Sequence, residues 1–509
     1  VRPVTERVAN IAHFLTRNAR RVGAEPAVIE GGEVTDWRTL DARVSALGLA
    51  LREECGVGFG DRVLVQAVNS RACIEVQLAC FRLGAVWCPC NFRLTPGEVA
   101  AQGRVAGAVA MVCGEGFAGH ATAAREAGIS RVIGTDYEAL IAPRLGRDLA
   151  NADVARDDPC WLFFTSGSTG RPKGVVLTQG QMTFTILNHL NDLLPGLGHR
   201  DRSLVVAPLS HGAGMHALVQ LAAGAASVIL PGPFDPDAAW AAVERYGITN
   251  LFAVPTIVKR LVENPRAGRS SLRAIIYAGA PMYKEDQRVA LERLGPVLVQ
   301  YYGLGEVTGA ITVLRAEDHG PAREGSCGVE RTGMEVRIAD EDGRALGPGE
   351  SGEVCVAGPA VCAGYWQDAA ANAAAFRDGW FRTGDIGHMD AEGYLYLTGR
   401  RSDMFITGGA NVHPREVEEI LLTHPGIAEV AVIGVPDRDL GEVGWAVVVV
   451  RGGGMGTGER FGDWLDGRVA RFKIPRRFIM VPEIPKSGYG KVTRALVREL
   501  LQGMGEWPV

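Results

Sequence analysis

The stretch TSGSTGRPKG at 165–174 gathers four hydroxyl side chains, Thr165, Ser166, Ser168 and Thr169, with Gly167, Gly170 and Gly174 around Lys173. It follows the apolar run Trp161-Leu162-Phe163-Phe164. Glycines let a backbone bend and bring its N–H groups close to an anion, hydroxyls donate further hydrogen bonds, and lysine supplies a point charge suited to phosphate. The composition therefore predicts a polyphosphate cradle at the end of a strand, with a second strand at Val175-Val176-Leu177. The Walker pattern is not met, because Lys173 follows Arg171-Pro172 and precedes Gly174. A kinase-like or GTPase-like loop is thereby disfavoured. A Ser/Gly-rich surface loop is the alternative, though such loops seldom sit between two apolar segments.

Two further segments combine an acid with glycines, YYGLGEVTG at 301–309 and WFRTGDIG at 380–387. Downstream lie GRRSDMFITGGANVHPREVEE at 399–419 and PKSGYGKVTR at 485–494. In this order and spacing the five segments resemble the adenylate-forming superfamily, which includes acyl-CoA synthetases, peptide-synthetase adenylation domains and firefly-type luciferases. The resemblance extends over essentially the whole chain. A sixth glycine pattern, Gly347-Pro348-Gly349-Glu350-Ser351-Gly352, matches GxGxxG but has no helix after it and reads as a turn.

The resemblance implies activation of a small carboxylic acid by attack on the α-phosphate of ATP, loss of pyrophosphate, and transfer of the acyl group from AMP to a thiol. A carboxylate meeting a triphosphate brings like charges together, so Mg²⁺ and aimed cations should dominate catalysis. On the matching positions it implies Glu306 as the metal-associated glutamate. Tyr302 would be the ring that stacks on adenine and Gly279-Ala280-Pro281 the backbone beside it. Asp385 would accept the ribose hydroxyls, with Arg400 as a second ribose or phosphate contact. Lys491 would bridge the attacking carboxylate and the α-phosphate. Taken alone, Tyr302 would be a packing residue and Lys491 a solvated charge.

The resemblance also implies a small, mobile C-terminal domain that turns about a hinge at Ser402 between half-reactions and brings Gly408 and Gly409 to the pantetheine tunnel of coenzyme A. Lys473, in the basic run Arg471-Phe472-Lys473-Ile474-Pro475-Arg476-Arg477, is either a contact for the CoA phosphates or part of a solvated patch. Two positions depart from the family pattern. Ser402 stands where relatives carry Asp or Lys, and Gly305 where many carry a hydroxyl in contact with the α-phosphate. Thr308 or the cradle would then take over that contact.

His211, in PLSHGAGMH at 208–216, matches an aromatic gate near the substrate carboxylate. No acid lies between Leu209 and Leu218, where amino-acid-activating relatives place an aspartate. The small residues Gly212, Ala213, Gly214, Ala278 and Gly309, with Met215 and Leu304, would border an apolar space for an aryl, branched or medium-chain acyl group. Free CoA is the expected acceptor, because only a short tail follows Lys491. The competing readings are a stand-alone adenylation enzyme that loads a carrier protein, and a nucleotide-binding regulator without catalysis.

The elements that must hold these residues follow a βα rhythm. From Asp61 onward short apolar strands alternate with helical stretches through 273–277, which predicts an α/β class with largely parallel sheets covered on both faces. After Gly325 shorter β segments with turns indicate a β-rich subdomain. The expected domains are 1–400, with the β-rich part at about 325–400, and an α+β domain at 401–509. At 509 residues, 47% hydrophobic, 22% charged and a formal charge of −5, the chain has an ordinary enzyme composition. That balance gives no reason to expect nucleic acid or an anionic membrane. Ten scattered cysteines without zinc spacing read as reduced core thiols. No leader or membrane span is evident, so a cytoplasmic location is expected, with a homodimer left open.

Overall fold

A computed structural model describes residues 6–134, 136–166, 172–280, 282–451, 458–486 and 492–508. The chain divides into two compact units. The first holds residues 1–281, 288–336 and 356–381, and the second 282–287, 337–355 and 382–509. The junction expected at 400/401 thus falls inside the second unit, which also takes in 337–355 and 382–400.

The first unit contains two α/β sheets. In one, Arg62–Gln66, Val86–Pro89, Ala110–Cys113 and Arg131–Ile133 run parallel, and Pro159–Ser166 joins them beside Val86–Pro89. In the other, Pro26–Glu30, Ala226–Ile229, Arg202–Val205, Asn250–Ala253, Ala274–Tyr277 and Leu298–Tyr302 form a parallel array flanked by antiparallel edge strands. Strands such as VWCP, AMVC, NLFA and AIIY are buried at every position. Helices cover both faces of such strands, so an unbroken apolar run replaces the in–out alternation of a half-exposed sheet. Helix boundaries follow local chemistry. Ser70 caps Arg71–Leu83 and Gly84 ends it at φ +70°, while Thr178 and Gln181 form a capping box on Gln179–Asp192. One core runs through both sheets, joining Trp87 and Trp161 to Leu209, Phe252 and Tyr301.

The β-rich part is a five-stranded sheet of Glu335–Ala339, Gly352–Ala357, Trp380–Met389, Phe376–Arg377 and Leu395–Arg400, whose residues divide between the units. The 347–352 glycine pattern is the turn expected, with Gly349 at φ +81° ahead of Gly352–Ala357. In the second unit Ala410–Val412, Phe405–Thr407, Gly441–Val450, Ile427–Asp437 and Arg477–Met480 make a sheet with a core on each face. Val430 and Val432 face one way, toward Val417 and Phe461, and Ala431 and Ile433 the other, toward Val497 and Leu501. All ten cysteines are free thiols, nine of them buried and Cys55 partly exposed. No helix among the described residues is long and apolar enough to cross a membrane.

Candidate active site

The two ends of the predicted cradle lie on paired strands. Pro159–Ser166 and Pro172–Thr178 pair antiparallel with Thr165 opposite Lys173, and Gln179–Asp192 starts where the second strand stops. Gly167, Ser168, Thr169, Gly170, Pro281 and Lys491 lie outside the described residues, as does the Ser166 side chain. The Lys173 ammonium stands 5.4 Å from the centroid of the Tyr365 ring.

Glu306 lies on a single 3₁₀ turn, Gly305–Val307, just beyond Leu298–Tyr302. It is 8% exposed, and its Oε1 accepts a 2.9 Å hydrogen bond from the Tyr365 hydroxyl. Burial and then the Glu306 charge push the Tyr365 phenol upward, so it stays a donor. No described lysine or arginine forms an ion pair with Glu306. Among the described residues no cluster of three or more His, Cys, Asp or Glu could cage a metal by itself. A buried carboxylate with one neutral donor and no ion-pair partner among the described residues suits Mg²⁺, which binds through one or two carboxylates plus substrate phosphates. Glu306 would hold that ion, which when bound would neutralise charge on the phosphates.

Beside it, Gly305 keeps an ordinary backbone conformation, yet a Cβ added there would lie 2.5 Å from the Phe163 ring. The space of the missing side chain is filled by that ring. The Thr308 hydroxyl, expected as a substitute phosphate donor, pairs with the Thr185 hydroxyl at 2.7 Å and donates to the Val307 carbonyl. It is thus engaged within its own turn and with Gln179–Asp192.

Gly279 lies just beyond Ala274–Tyr277 and Tyr302 ends the adjacent parallel strand Leu298–Tyr302, the two strands being in register at Tyr277 and Gln300. Their position at the carboxyl ends of the array is where open α/β sheets bind ligands. Gly279 has φ +85°, a conformation that favours glycine, with Ala280 and Tyr302 half-buried and Ala278 buried.

His211 is the N-cap residue of Gly212–Ala223. Its Nδ1 lies 2.8 Å from the Ser210 hydroxyl, and its ring meets Phe163 edge-on at 5.0 Å. The small residues after it do not leave the expected space. A Cβ on Gly212 would meet the Phe252 ring at 2.6 Å, one on Gly214 the Leu209 carbonyl oxygen at 2.0 Å, and one on Gly309 the Tyr301 ring at 2.5 Å. Ala213 and Met215 are buried in the core, and Leu304 is half-buried at the head of the Glu306 turn. Smallness here serves close packing against aromatic rings and backbone, which corrects the pocket reading of these glycines.

In the second unit Asp385 is 5% exposed and pairs across the sheet with Arg400, whose Nε donates to Asp385 Oδ1 at 3.0 Å. Arg400 therefore orients the carboxylate. Ser402 is exposed, and its carbonyl accepts a 2.9 Å hydrogen bond from Arg494, on the helix Arg494–Gly503. Gly408 and Gly409, at φ +55° and +84°, make the two-residue turn between Phe405–Thr407 and Ala410–Val412, a pairing that requires left-handed residues at both positions. Lys473 is ion-paired with Glu416, Arg476 with Asp437 and Arg477 with Glu506. The basic run is thus largely committed to carboxylates of its own unit, which favours the structural reading of Lys473 over a CoA contact.

Sequence reasoning missed Tyr365, Phe163 and Arg494 as parts of these arrangements. Only Phe163 carried a signal, since it directly precedes the cradle and is aromatic where Gly305 lacks a side chain.

With this geometry in place, residues 15–366 match the AMP-binding enzyme family and residues 416–491 the AMP-binding enzyme C-terminal domain. A feruloyl-CoA synthase of Amycolatopsis sp is 38% identical over 95% of this chain and 97% of its own. An indoleacetate–CoA ligase of Aromatoleum aromaticum is 34% identical over 95% and 97%. The ATP-bound crystal structure of MatB from Rhodopseudomonas palustris superposes with a TM-score of 0.88 at 30% identity, covering 97% of this chain and 99% of that one. The chain belongs to the AMP-binding enzymes, the adenylate-forming superfamily, in its acyl-CoA synthetase branch.

Proposed function

We propose that the protein is an AMP-forming acyl-CoA synthetase for aryl carboxylic acids. The acid attacks the α-phosphate of ATP to give acyl-AMP and pyrophosphate, and the CoA thiol then displaces AMP to give the thioester. One observation carries the first step: the buried Glu306 carboxylate, which has no ion-pair partner among the described residues and shares Tyr365 with Lys173 of the cradle hairpin. A buried carboxylate is costly unless it is protonated, paired or completed by a cation, and a bound metal ion would supply that completion here. Lys173 and the cradle would hold the phosphates, with Tyr302 and Gly279 beside the base. Within the second unit, Asp385 held by Arg400 would accept the ribose hydroxyls. Lys491 would bridge the attacking carboxylate and the α-phosphate, and the segment about Ser402 would serve the change between half-reactions.

The aryl preference rests on the partly exposed, edge-on pair Phe163–His211, with ring centroids 5.0 Å apart, and on the ferulate and indoleacetate named for the relatives. Rings that meet edge-on present flat apolar walls suited to another ring. A cytoplasmic location with reduced thiols goes with this reading.

The test is acid-dependent AMP formation with CoA, across ferulate, indole-3-acetate, benzoate, octanoate and acetate. Aryl acids should exceed acetate in kcat/KM by tenfold or more, which corresponds to about 1.4 kcal/mol. Thioester formed only on an added carrier protein would replace CoA as acceptor. ATP binding without pyrophosphate release for any acid would make the protein a nucleotide-binding regulator.

A further inference from the structure

We propose that Tyr365 is the positioning residue for Glu306, holding one carboxylate oxygen so that the other is presented to the metal of the adenylation step. This rests on the adenylation reading above.

The backbone around Tyr365 leaves it little freedom. Residues 363–366 lie along Pro172–Thr178 as a short added edge. Val176 donates to the Gly364 carbonyl at 2.9 Å, Ala363 to Val176 at 3.1 Å and Trp366 to Gly174 at 2.7 Å. Asn372, on Ala369–Ala375, brackets the residue from the other side. Its Oδ1 accepts from the Tyr365 N–H at 2.7 Å, and its Nδ2 donates to the Tyr365 carbonyl at 3.1 Å. The helix carrying Asn372 is itself capped by Asp368, which accepts from the Ala371 N–H.

The same segment grips Glu306 twice. The Cys362 N–H donates to the Glu306 carbonyl at 2.7 Å, and the Tyr365 hydroxyl donates to Oε1 at 2.9 Å. The first bond fixes the backbone of the 3₁₀ turn and the second fixes the carboxylate's rotation. A phenol is a suitable partner because it is neutral. A lysine or arginine at hydrogen-bond distance would cancel the negative charge that draws a cation, whereas a hydroxyl directs the carboxylate and leaves its charge intact. The ring meanwhile stands 5.4 Å from the Lys173 ammonium, so one side chain touches both the acidic and the basic residue of the phosphate region.

The experiment uses Tyr365→Phe in the full chain, which removes one oxygen and keeps the ring. Mn²⁺ binding in the presence of ATP is followed by electron paramagnetic resonance, alongside ATP binding without metal and acyl transfer to CoA from supplied acyl-AMP. Mn²⁺ affinity should fall about 10- to 100-fold, the usual effect of losing a partner that orients a metal ligand. Metal-free ATP affinity and the transfer rate should stay within about twofold, inside the scatter of a neutral change. In a Glu306→Gln background the same substitution should change Mn²⁺ affinity no further, because Tyr365 acts through that carboxylate. Unchanged Mn²⁺ affinity in Tyr365→Phe, or an equal loss in both backgrounds, overturns the assignment. A wild-type chain whose Mn²⁺ binding is indifferent to ATP and to Glu306→Gln instead overturns the adenylation reading beneath it.

Discussion

Replacing Gly305 by serine should test whether Phe163 occupies the room of the side chain this position lacks. The backbone there is not in the left-handed region, so the substitution carries no conformational penalty of its own. The obstacle is the ring, with two of its carbons 2.5 and 2.6 Å from the added Cβ. Carbon atoms rest at about 3.5–4.0 Å, so the ring must retreat by roughly 1 Å. Its retreat is opposed by edge contacts to His211 at 5.0 Å and Trp161 at 6.1 Å. Overpacking of this kind costs about 1–3 kcal/mol, and loss of one aromatic pair about 0.5–1.5 kcal/mol more. The expected destabilisation of Gly305→Ser is therefore about 1.5–4.5 kcal/mol by these two contributions. Phe163→Ala should remove the obstacle, and the double variant should be more stable than the sum of the singles by at least about 1 kcal/mol. Urea unfolding followed by tryptophan emission reads this directly, because Trp161 touches the ring in question. Additivity within about 0.5 kcal/mol would refute the reasoning, since independent sites add to that precision.

Lys491→Ala should abolish acyl-AMP formation while largely sparing CoA transfer from supplied acyl-AMP; equal loss in rapid-quench assays of both steps would remove the assigned role. Gly214→Leu should fail as a change of specificity and succeed as a change of stability, because its Cβ would lie 2.0 Å from a backbone oxygen that cannot swing aside. A loss of about 3 kcal/mol or more in unfolding free energy is expected, and a folded enzyme with an altered acid preference would contradict it. In the second unit Glu418, which accepts from the Val432 N–H and faces Arg415, Asp403 and Glu419, is pushed up to about 7 by desolvation. The fold favours its protonated form, so the stabilisation is complete below the ordinary glutamate value and is lost as pH rises through 7. Melting of Glu418→Gln between pH 4.5 and 8 should be flatter than that of the wild type, by at most about 3 kcal/mol across the range. Identical slopes would place the titration elsewhere.

The cradle hairpin and the Glu306 turn were legible because their chemistry is local. Glycines, hydroxyls and a lysine between two apolar runs specify a strand–turn–strand, and consecutive buried strands announce a parallel sheet. What escaped depends on partners distant in the chain. Tyr365 reaches Glu306 across 59 positions and has no special spacing to mark it. Lys473 is 57 positions from the Glu416 that holds it, and nothing in a basic run tells which charges are already paired. The glycines at 212, 214 and 309 misled for the same reason. A missing side chain in the sequence looks like open space, whereas the fold brings Phe252, Leu209 and Tyr301 into it.

The burial of the thiols makes the unmodified chain convenient for site-directed labelling. Nine of the ten cysteines are shut away, so a maleimide or spin-label reagent added to the folded protein meets only Cys55, at the last turn of the helix Trp37–Cys55. Partial desolvation raises that thiol, so it couples slowly at neutral pH and faster as the solution is made alkaline. A second cysteine introduced at the exposed Met504 would give one dye attachment point in each unit, without first stripping the core of its sulfur. Distance changes between the two dyes during turnover could then be followed in a protein whose packing is otherwise native.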